Sequence, residues 1–119
     1  MTSQLSPKVS EILAFSREEA TRLASRYVGP EHLVLGILRE KENPLLNLFK
    51  RMNIDEQSVK FELEKKVRED ELSEPIITSE LVLNEQASNI LKLAVLEARL
   101  QHTQTVDVQH LVLAILHDQ

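Results

Sequence analysis

At 119 residues, the chain is long enough for one hydrophobic core but short for two independent domains. It contains no cysteine, which excludes disulfides, thiolate metal sites and a cysteine nucleophile and favours a reducing, cytoplasmic location. The net charge of −5 comes from charges of mixed sign, and aromatic residues make up only 3%, so we expect no nucleic-acid surface. No stretch approaches the roughly 20 apolar residues of a membrane span, so we expect no membrane segment.

The first predicted helix follows Ser6 and Pro7, an N-cap residue and a proline at the first helical position. Small or apolar residues then recur at helical spacing: Val9, Ile12, Leu13, Ser16, Ala20, Leu23 and Ala24. This pattern predicts an amphipathic helix. The next segment, GPEHLVLGIL from Gly29 to Leu38, is apolar nearly all round and predicts a short buried helix.

Two further helices and a linker are predicted downstream. Asn43 and Pro44 repeat the cap-then-proline signal and predict a third helix that ends near Asn53. Asp55 caps a fourth helix, whose inner face is predicted to be Val59, Leu63 and Val67. Residues 73–82, SEPIITSELV, combine a proline with β-branched residues and show no helical period, so they predict an extended linker.

The segment from Leu83 to Gln119 repeats the segment from Leu5 to Lys41 without a gap, and 13 of the 37 aligned pairs are identical. Asn84 takes the place of the first N-cap, and Asp107 opens the second buried helix. We interpret this as an internal duplication. It predicts one domain over residues 1–119, with repeat one at 5–72 and repeat two at 83–119. Repeat two stops where repeat one continues into two more helices, so either the chain is a fragment or the second repeat is incomplete.

One stretch of the chain consists of LSPKVSEIL, then SREEATRLASRY, then GPEHLVLGILRE, and the pattern is repeated once downstream. This stretch resembles the N-terminal domain of ClpC- and ClpA-type AAA+ unfoldases, the regulatory ATPase subunits of the Clp protease. The resemblance implies an all-α domain of two pseudo-symmetric tandem repeats. It implies a module that recruits substrate proteins and adaptor proteins, which an ATPase ring unfolds and passes to the ClpP peptidase. ATP and Mg would bind ATPase modules that are absent here. No cofactor is expected in this chain, which has no G-x-x-x-x-G-K-[ST] loop.

In the Gram-positive ClpC branch, the resemblance also implies a phosphoarginine pocket in each repeat. The positions that match are Ser6 and Glu31 in repeat one, and Asn84 and Gln109 in repeat two. A helix N-terminus offers free amides to a phosphate, and a carboxylate can pair with a guanidinium, so the neutral amide of Gln109 predicts a weaker second site. The more ordinary interpretation is that Ser6 is only a cap and Glu31 only an acid that suits the helix dipole.

Other polar residues predict no site. His32 and His110 occupy equivalent positions, which favours a shared structural hydrogen bond over a metal site, and His102 and His117 are expected on the surface without a role. Four acids could form an adaptor-docking surface, although a solvated helix exterior is the preferred interpretation: Glu18, Glu19, Glu40 and Glu42.

We therefore expect a protein-binding module without catalytic activity of its own. The chain contains no G-x-S-x-G, no H-E-x-x-H and no paired-acid motif. One alternative is a stand-alone helical accessory or assembly factor of a Clp protease. A small enzyme with its site between the repeats is a further alternative, which the missing catalytic motifs disfavour.

Overall fold

The structure, a computed structural model, describes residues 4–40, 44–70 and 82–117. The helices in these ranges are α1 (Pro7–Arg22), α2 (Pro30–Leu38), α3 (Pro44–Arg51), α4 (Glu56–Asp70), α5 (Glu85–Leu100) and α6 (Val108–His117). Two strands of two residues each accompany them, β1 (Gln4–Leu5) and β2 (Thr105–Val106). The predicted all-α class is confirmed, and the two short strands are an addition that the sequence patterns did not predict.

The helix starts follow the capping signals in the sequence. Ser6 Oγ accepts a hydrogen bond from the Val9 amide at 3.2 Å, and Asn84 Oδ1 accepts one from the Ala87 amide at 2.9 Å. Asp55 precedes α4, and its Oδ1 accepts a hydrogen bond from the Gln57 amide at 3.3 Å. Such caps satisfy the amides that have no partner within the first helical turn.

Two of the predicted features are only partly described. Asn43, the expected cap of α3, lies outside the described residues, although α3 begins at Pro44 as predicted. The predicted extended linker also falls outside the described residues, except for Val82 at its end. The Val82 carbonyl accepts a hydrogen bond from the Val28 amide at 2.9 Å.

Within each repeat, the two duplicated helices pack against one another, α1 on α2 and α5 on α6. The approach of α1 to α2 is close because position 36 has no side chain. A Cβ at Gly36 would lie 2.5 Å from Ser16 Oγ and 2.7 Å from the Ile12 carbonyl oxygen. The core contains the apolar residues of both repeats, among them Leu33 and its counterpart Leu111, which are fully buried.

The two repeats are joined by a reciprocal exchange of backbone pairing. Strand β1 pairs in parallel with β2, so that Leu5 lies opposite Val106. A parallel bridge joins Val28 to Leu83. Because the duplication aligns Leu5 with Leu83 and Val28 with Val106, the two pairings are the same contact made twice, once in each direction. This is the arrangement expected of two copies related by a pseudo-twofold axis.

The helices α3 and α4 cover α2 on its outer side. Leu35 of α2 is only 1% exposed because it packs with Leu63 and Val67 of α4, and Val67 is itself buried. The predicted inner face of α4 is therefore confirmed at these positions. The equivalent residue of α6, Leu113, is 42% exposed.

Candidate functional site

The N-terminus of α1 lies against the N-terminus of α6, in the other repeat. Ser6 is buried, and its hydroxyl donates a hydrogen bond to Asp107 Oδ1 at 3.0 Å. The same carboxylate oxygen accepts from the Val108 amide at 2.8 Å, so Asp107 caps α6. The Ser6 amide also donates to the Val106 carbonyl at 2.8 Å. A carboxylate therefore already occupies the space in front of this pair of helix N-termini.

The N-terminus of α5 lies, in the same way, against the N-terminus of α2. The Asn84 amide donates to the Val28 carbonyl at 2.9 Å. Gly29, the N-cap residue of α2, allows the close approach, because a Cβ there would lie 3.0 Å from Asn84 Nδ2 and 3.2 Å from Glu31 Oε2. Glu31 is mostly shielded and forms an ion pair with Lys66 of α4, with 3.1 Å between Nζ and Oε1. A mixed-charge pocket of about 250 Å³ opens beside this pair, with Gln86 of α5 on its wall.

Two of the predicted ligand-binding residues, Ser6 and Asn84, thus make contacts across the repeats. Ser6 bonds Asp107, which lies two residues before the exposed Gln109. The side chains of Asn84 and Glu31 both approach Gly29, since a Cβ at Gly29 would lie 3.0 Å from Asn84 Nδ2 and 3.2 Å from Glu31 Oε2. The sequence had grouped Ser6 with Glu31 and Asn84 with Gln109, by repeat. The contacts instead group Ser6 with the Gln109 end and Asn84 with Glu31. Phosphoarginine binding at either place stays a prediction.

The two equivalent histidines make the shared structural hydrogen bond that their duplication predicted. The Gly29 amide donates to His32 Nδ1 at 2.9 Å, and the Asp107 amide donates to His110 Nδ1 at 2.9 Å. Both rings are buried. A ring nitrogen that accepts an amide proton carries no proton itself, so each ring carries its proton on Nε2. His102 and His117 are exposed, as predicted.

An apolar cleft lies between repeat one and α6. Its volume is about 250 Å³. Nine apolar side chains line it: Val34, Leu45, Phe49, Ile54, Val59, Leu63, Val112, Ile115 and Leu116. The sequence indicated which of these residues are apolar, but helical periodicity cannot indicate that residues from four helices and a loop leave a gap where they meet. A cleft of this kind can bury the apolar side chains of another molecule.

The acidic residues of α1 are partly neutralised by arginines. Glu19 forms an ion pair with Arg22 at 3.0 Å, and Glu18 lies 3.7 Å from Arg39. Hydrogen bonds to Glu19, and then to Glu64 of α4, raise the pKa of Arg22. The pair of Arg22 and Glu64 connects α1 to α4. Glu42 lies outside the described residues.

The described ranges contain no group of three or more histidine, cysteine, aspartate or glutamate residues that could hold a metal ion. In the same ranges, none of the helices has the length and apolar character needed to cross a bilayer.

Comparison with known proteins identifies the relatives of this chain. The family model described as "Clp repeat (R) N-terminal domain" matches residues 4–119. The ATP-dependent Clp protease ATP-binding subunit ClpC of Staphylococcus aureus (strain USA300) is 29% identical over 115 residues, which are 97% of this chain and 14% of that protein. Among solved structures, the Hsp104 N-terminal domain from Candida albicans superposes with a TM-score of 0.80 at 20% identity, over 98% of this chain and 75% of that one. The N-terminal domain of the chaperone ClpD from Arabidopsis thaliana gives a TM-score of 0.63 at 16% identity, over 94% of this chain and 75% of that one.

Proposed function

Because this chain belongs to the Clp repeat N-terminal domain family, we propose that it is a protein-binding module that recruits substrate or adaptor proteins by reversible contact. The observation that carries the proposal is the apolar cleft beside α6. The cleft is concave, has a volume of about 250 Å³ and is lined by uncharged side chains, so another polypeptide can bind in it. The proposed occupant is a short extended segment that inserts apolar side chains. Burial of such side chains contributes roughly 25 cal/mol per Å² of apolar surface removed from water.

The chain spans 14% of the length of the ClpC proteins it matches. We propose that in a protein of that length the module brings polypeptides to ATPase modules, where ATP and Mg would bind. Transfer of the unfolded polypeptide to the ClpP peptidase belongs to the same proposal. In this role the module itself breaks no bonds.

A matched pair of substitutions on α4 tests the cleft. Val59 lines the cleft, whereas Phe61 lies on the same helix, is 64% exposed and lines a different, charged pocket. The Val59→Glu variant places a carboxylate among apolar side chains, where its desolvation is unfavourable. We expect it to weaken binding of a fluorescein-labelled apolar peptide by about tenfold or more, the effect of about 1.4 kcal/mol. Phe61→Glu should leave the affinity unchanged.

Fluorescence anisotropy gives the affinities, and circular dichroism checks that both variants are folded. A folded Val59→Glu variant that binds the apolar peptide as well as the unsubstituted chain would contradict the cleft as the recruiting site. A serine- and glycine-rich peptide of the same length serves as the ligand control.

We propose further that any phosphoarginine binds where Glu31 meets the N-terminus of α5. The amides of the first turn of α5 can face the phosphate, while the Glu31 carboxylate can pair with the guanidinium in competition with Lys66. Around Ser6, the carboxylate of Asp107 would repel the phosphate.

An NMR titration with a phosphoarginine peptide should therefore shift the amides of Glu31, Glu85 and Gln86 more than those of Val108 and Gln109. The Glu31→Gln variant should weaken these shifts, and the unphosphorylated arginine peptide is the ligand control. Equal shifts at both ends, or none at millimolar peptide, would contradict this assignment.

A further inference from the structure

The two places where helix starts meet across the repeats differ at one position. We name them the α1/α6 junction, where Ser6 meets Asp107, and the α5/α2 junction, where Asn84 meets Gly29. The duplication aligns Ser6 with Asn84 and Gly29 with Asp107, so the two junctions are equivalent. One junction therefore has a carboxylate at the position where the other has no side chain.

In the α1/α6 junction, the Asp107 carboxylate takes the place that an external anion would occupy. Its Oδ1 accepts hydrogen bonds from the Ser6 hydroxyl at 3.0 Å and from the Val108 amide at 2.8 Å. The two donors belong to different repeats, and each lies at the start of a helix, where the helix dipole favours negative charge. The structure therefore shows an anion held at this junction, and that anion is a side chain of the protein itself.

The α5/α2 junction has a similar geometry without this carboxylate. The backbone of Gly29 is extended, with φ −104° and ψ −178°, a conformation that aspartate also adopts. A Cβ at position 29 would lie 3.0 Å from Asn84 Nδ2, so a side chain there would face the N-cap of the other repeat, as that of Asp107 does. Beside this junction lies the mixed-charge pocket of about 250 Å³ that Glu31 and Lys66 help to line. Glycine at position 29 therefore leaves this junction without the internal anion.

The first helical turn adds a second difference between the junctions. Lys8 of α1 is exposed, and its equivalent in α5 is Gln86, which lines the pocket at the α5/α2 junction. The duplication therefore places Lys8 at the α1/α6 junction. Without the carboxylate at position 107, this junction would offer an anion the Ser6 hydroxyl, the Val108 amide and the Lys8 ammonium group.

We infer that Asp107 is the specificity-determining residue of the two junctions: it closes the α1/α6 junction to anionic ligands and leaves the domain with one anion site, at the α5/α2 junction. The inference rests on the proposed function in taking the α5/α2 junction to hold a phosphate group. It adds that the residue at one position, glycine or aspartate, decides which junction a phosphorylated segment can use. The domain therefore binds one such segment, although its duplication provides two equivalent places.

The Asp107→Gly variant tests this inference, because it gives repeat two the residue that repeat one carries at the equivalent position. Glycine is an acceptable N-cap residue, so α6 should remain folded. In an NMR titration with inorganic phosphate, the amides of Lys8, Val108 and Gln109 should report binding. We expect an affinity at least about tenfold above that of the unsubstituted chain at the same amides, because the two released donors can bond the phosphate.

Asp55→Gly is the matched control variant. Asp55 accepts the Gln57 amide at the start of α4, so this variant also loses one carboxylate and one cap, and its net charge changes by the same amount. It should bind phosphate at the α1/α6 junction no better than the unsubstituted chain does. Circular dichroism checks that both glycine variants are folded.

The reciprocal variant Gly29→Asp should close the α5/α2 junction. We expect the phosphoarginine peptide to bind at the amides of Glu85 and Gln86 with an affinity at least about tenfold lower, since the new carboxylate repels the phosphate. The added Cβ would lie 3.2 Å from Glu31 Oε2, so circular dichroism first establishes that this variant is folded. If it does not fold, Asp107→Gly alone decides.

The inference is overturned if folded Asp107→Gly shows no saturable shifts at the α1/α6 junction at millimolar phosphate, or if Asp55→Gly gains the same site. Phosphate binding at this junction by the unsubstituted chain, as tight as in Asp107→Gly, also overturns it, as does normal peptide binding by folded Gly29→Asp. If Asp107→Gly gains no site while the unsubstituted chain binds the phosphoarginine peptide at the α5/α2 junction, the inference fails and the proposed function stands. If Asp107→Gly gains the site while the unsubstituted chain binds the peptide at neither junction, the phosphoarginine assignment fails and the closing role of Asp107 stands.

Discussion

At the scale of single residues, the buried histidines hold the starts of the two central helices. His32 Nδ1 accepts a hydrogen bond from the amide of Gly29, and His110 Nδ1 accepts one from the amide of Asp107, both at 2.9 Å. On the opposite side, His32 Nε2 lies 2.9 Å from Ser25 Oγ, and His110 Nε2 lies 3.1 Å from Gln101 Oε1. Each ring thus connects the N-terminus of its own helix to the residues just after the preceding helix. Repetition of the same bond explains why histidine occurs at this position in both repeats.

Replacement of either histidine by phenylalanine should destabilise the fold. The ring volume is retained, but a buried amide loses its acceptor, which costs about 1–3 kcal/mol. Urea unfolding of His32→Phe and His110→Phe measures this cost. The control is His102→Asn, because His102 is exposed at a φ of 59°, where asparagine is well tolerated. A cost below about 0.5 kcal/mol for both phenylalanine variants, the range of ordinary surface changes, would contradict the role.

At the scale of elements, equivalent helices have different surroundings. The sequences of α2 and α6 are nearly the same, and both helices are apolar on most sides. In α2, the outer leucines Leu35 and Leu38 are 1% and 4% exposed, because α3 and α4 cover them. Their counterparts Leu113 and Leu116 are 42% and 45% exposed. The same residue type at equivalent positions therefore contributes differently to stability.

Alanine substitutions at one matched pair measure this difference. Leu35→Ala should lower the free energy of unfolding by about 2–5 kcal/mol, since it leaves a cavity under α4. Leu113→Ala should lower it by only about 0.5 kcal/mol or less, because the side chain is exposed. Helix propensity cannot account for the contrast, since the change is identical and both sites lie within helices. Equal losses in urea unfolding would show that Leu113 is covered in solution.

At the scale of the whole molecule, the reciprocal pairing binds two copies into one structure. The segment before α1 pairs with the segment before α6, and the segment before α5 pairs with the segment before α2. Each helix hairpin therefore has its N-terminal contacts in the other hairpin. The apolar residues of both copies also lie in one core cluster. Candidate binding surfaces arise from this arrangement, since the cleft needs α2, α3 and α4 of one copy and α6 of the other.

The sequence alone determined the helices, their caps and the duplication. Helical hydrogen bonds connect residues four apart, and caps lie within one turn, so both leave their mark in local spacing. Ser6, Pro7 and Asn84 could therefore be placed at helix starts, and His32 and His110 could be given a common structural role.

Only the tertiary structure decided which helix starts meet, and where the apolar cleft lies. Ser6 and Asp107 are 101 residues apart in the chain, and nothing in the local pattern of either residue indicates the other. The duplication suggested that sites form within a repeat, whereas a pseudo-twofold axis brings together residues of different repeats. Exposure of Leu113 and burial of Leu35 follow from the same cause, because coverage of a helix depends on what packs against it and not on its own sequence.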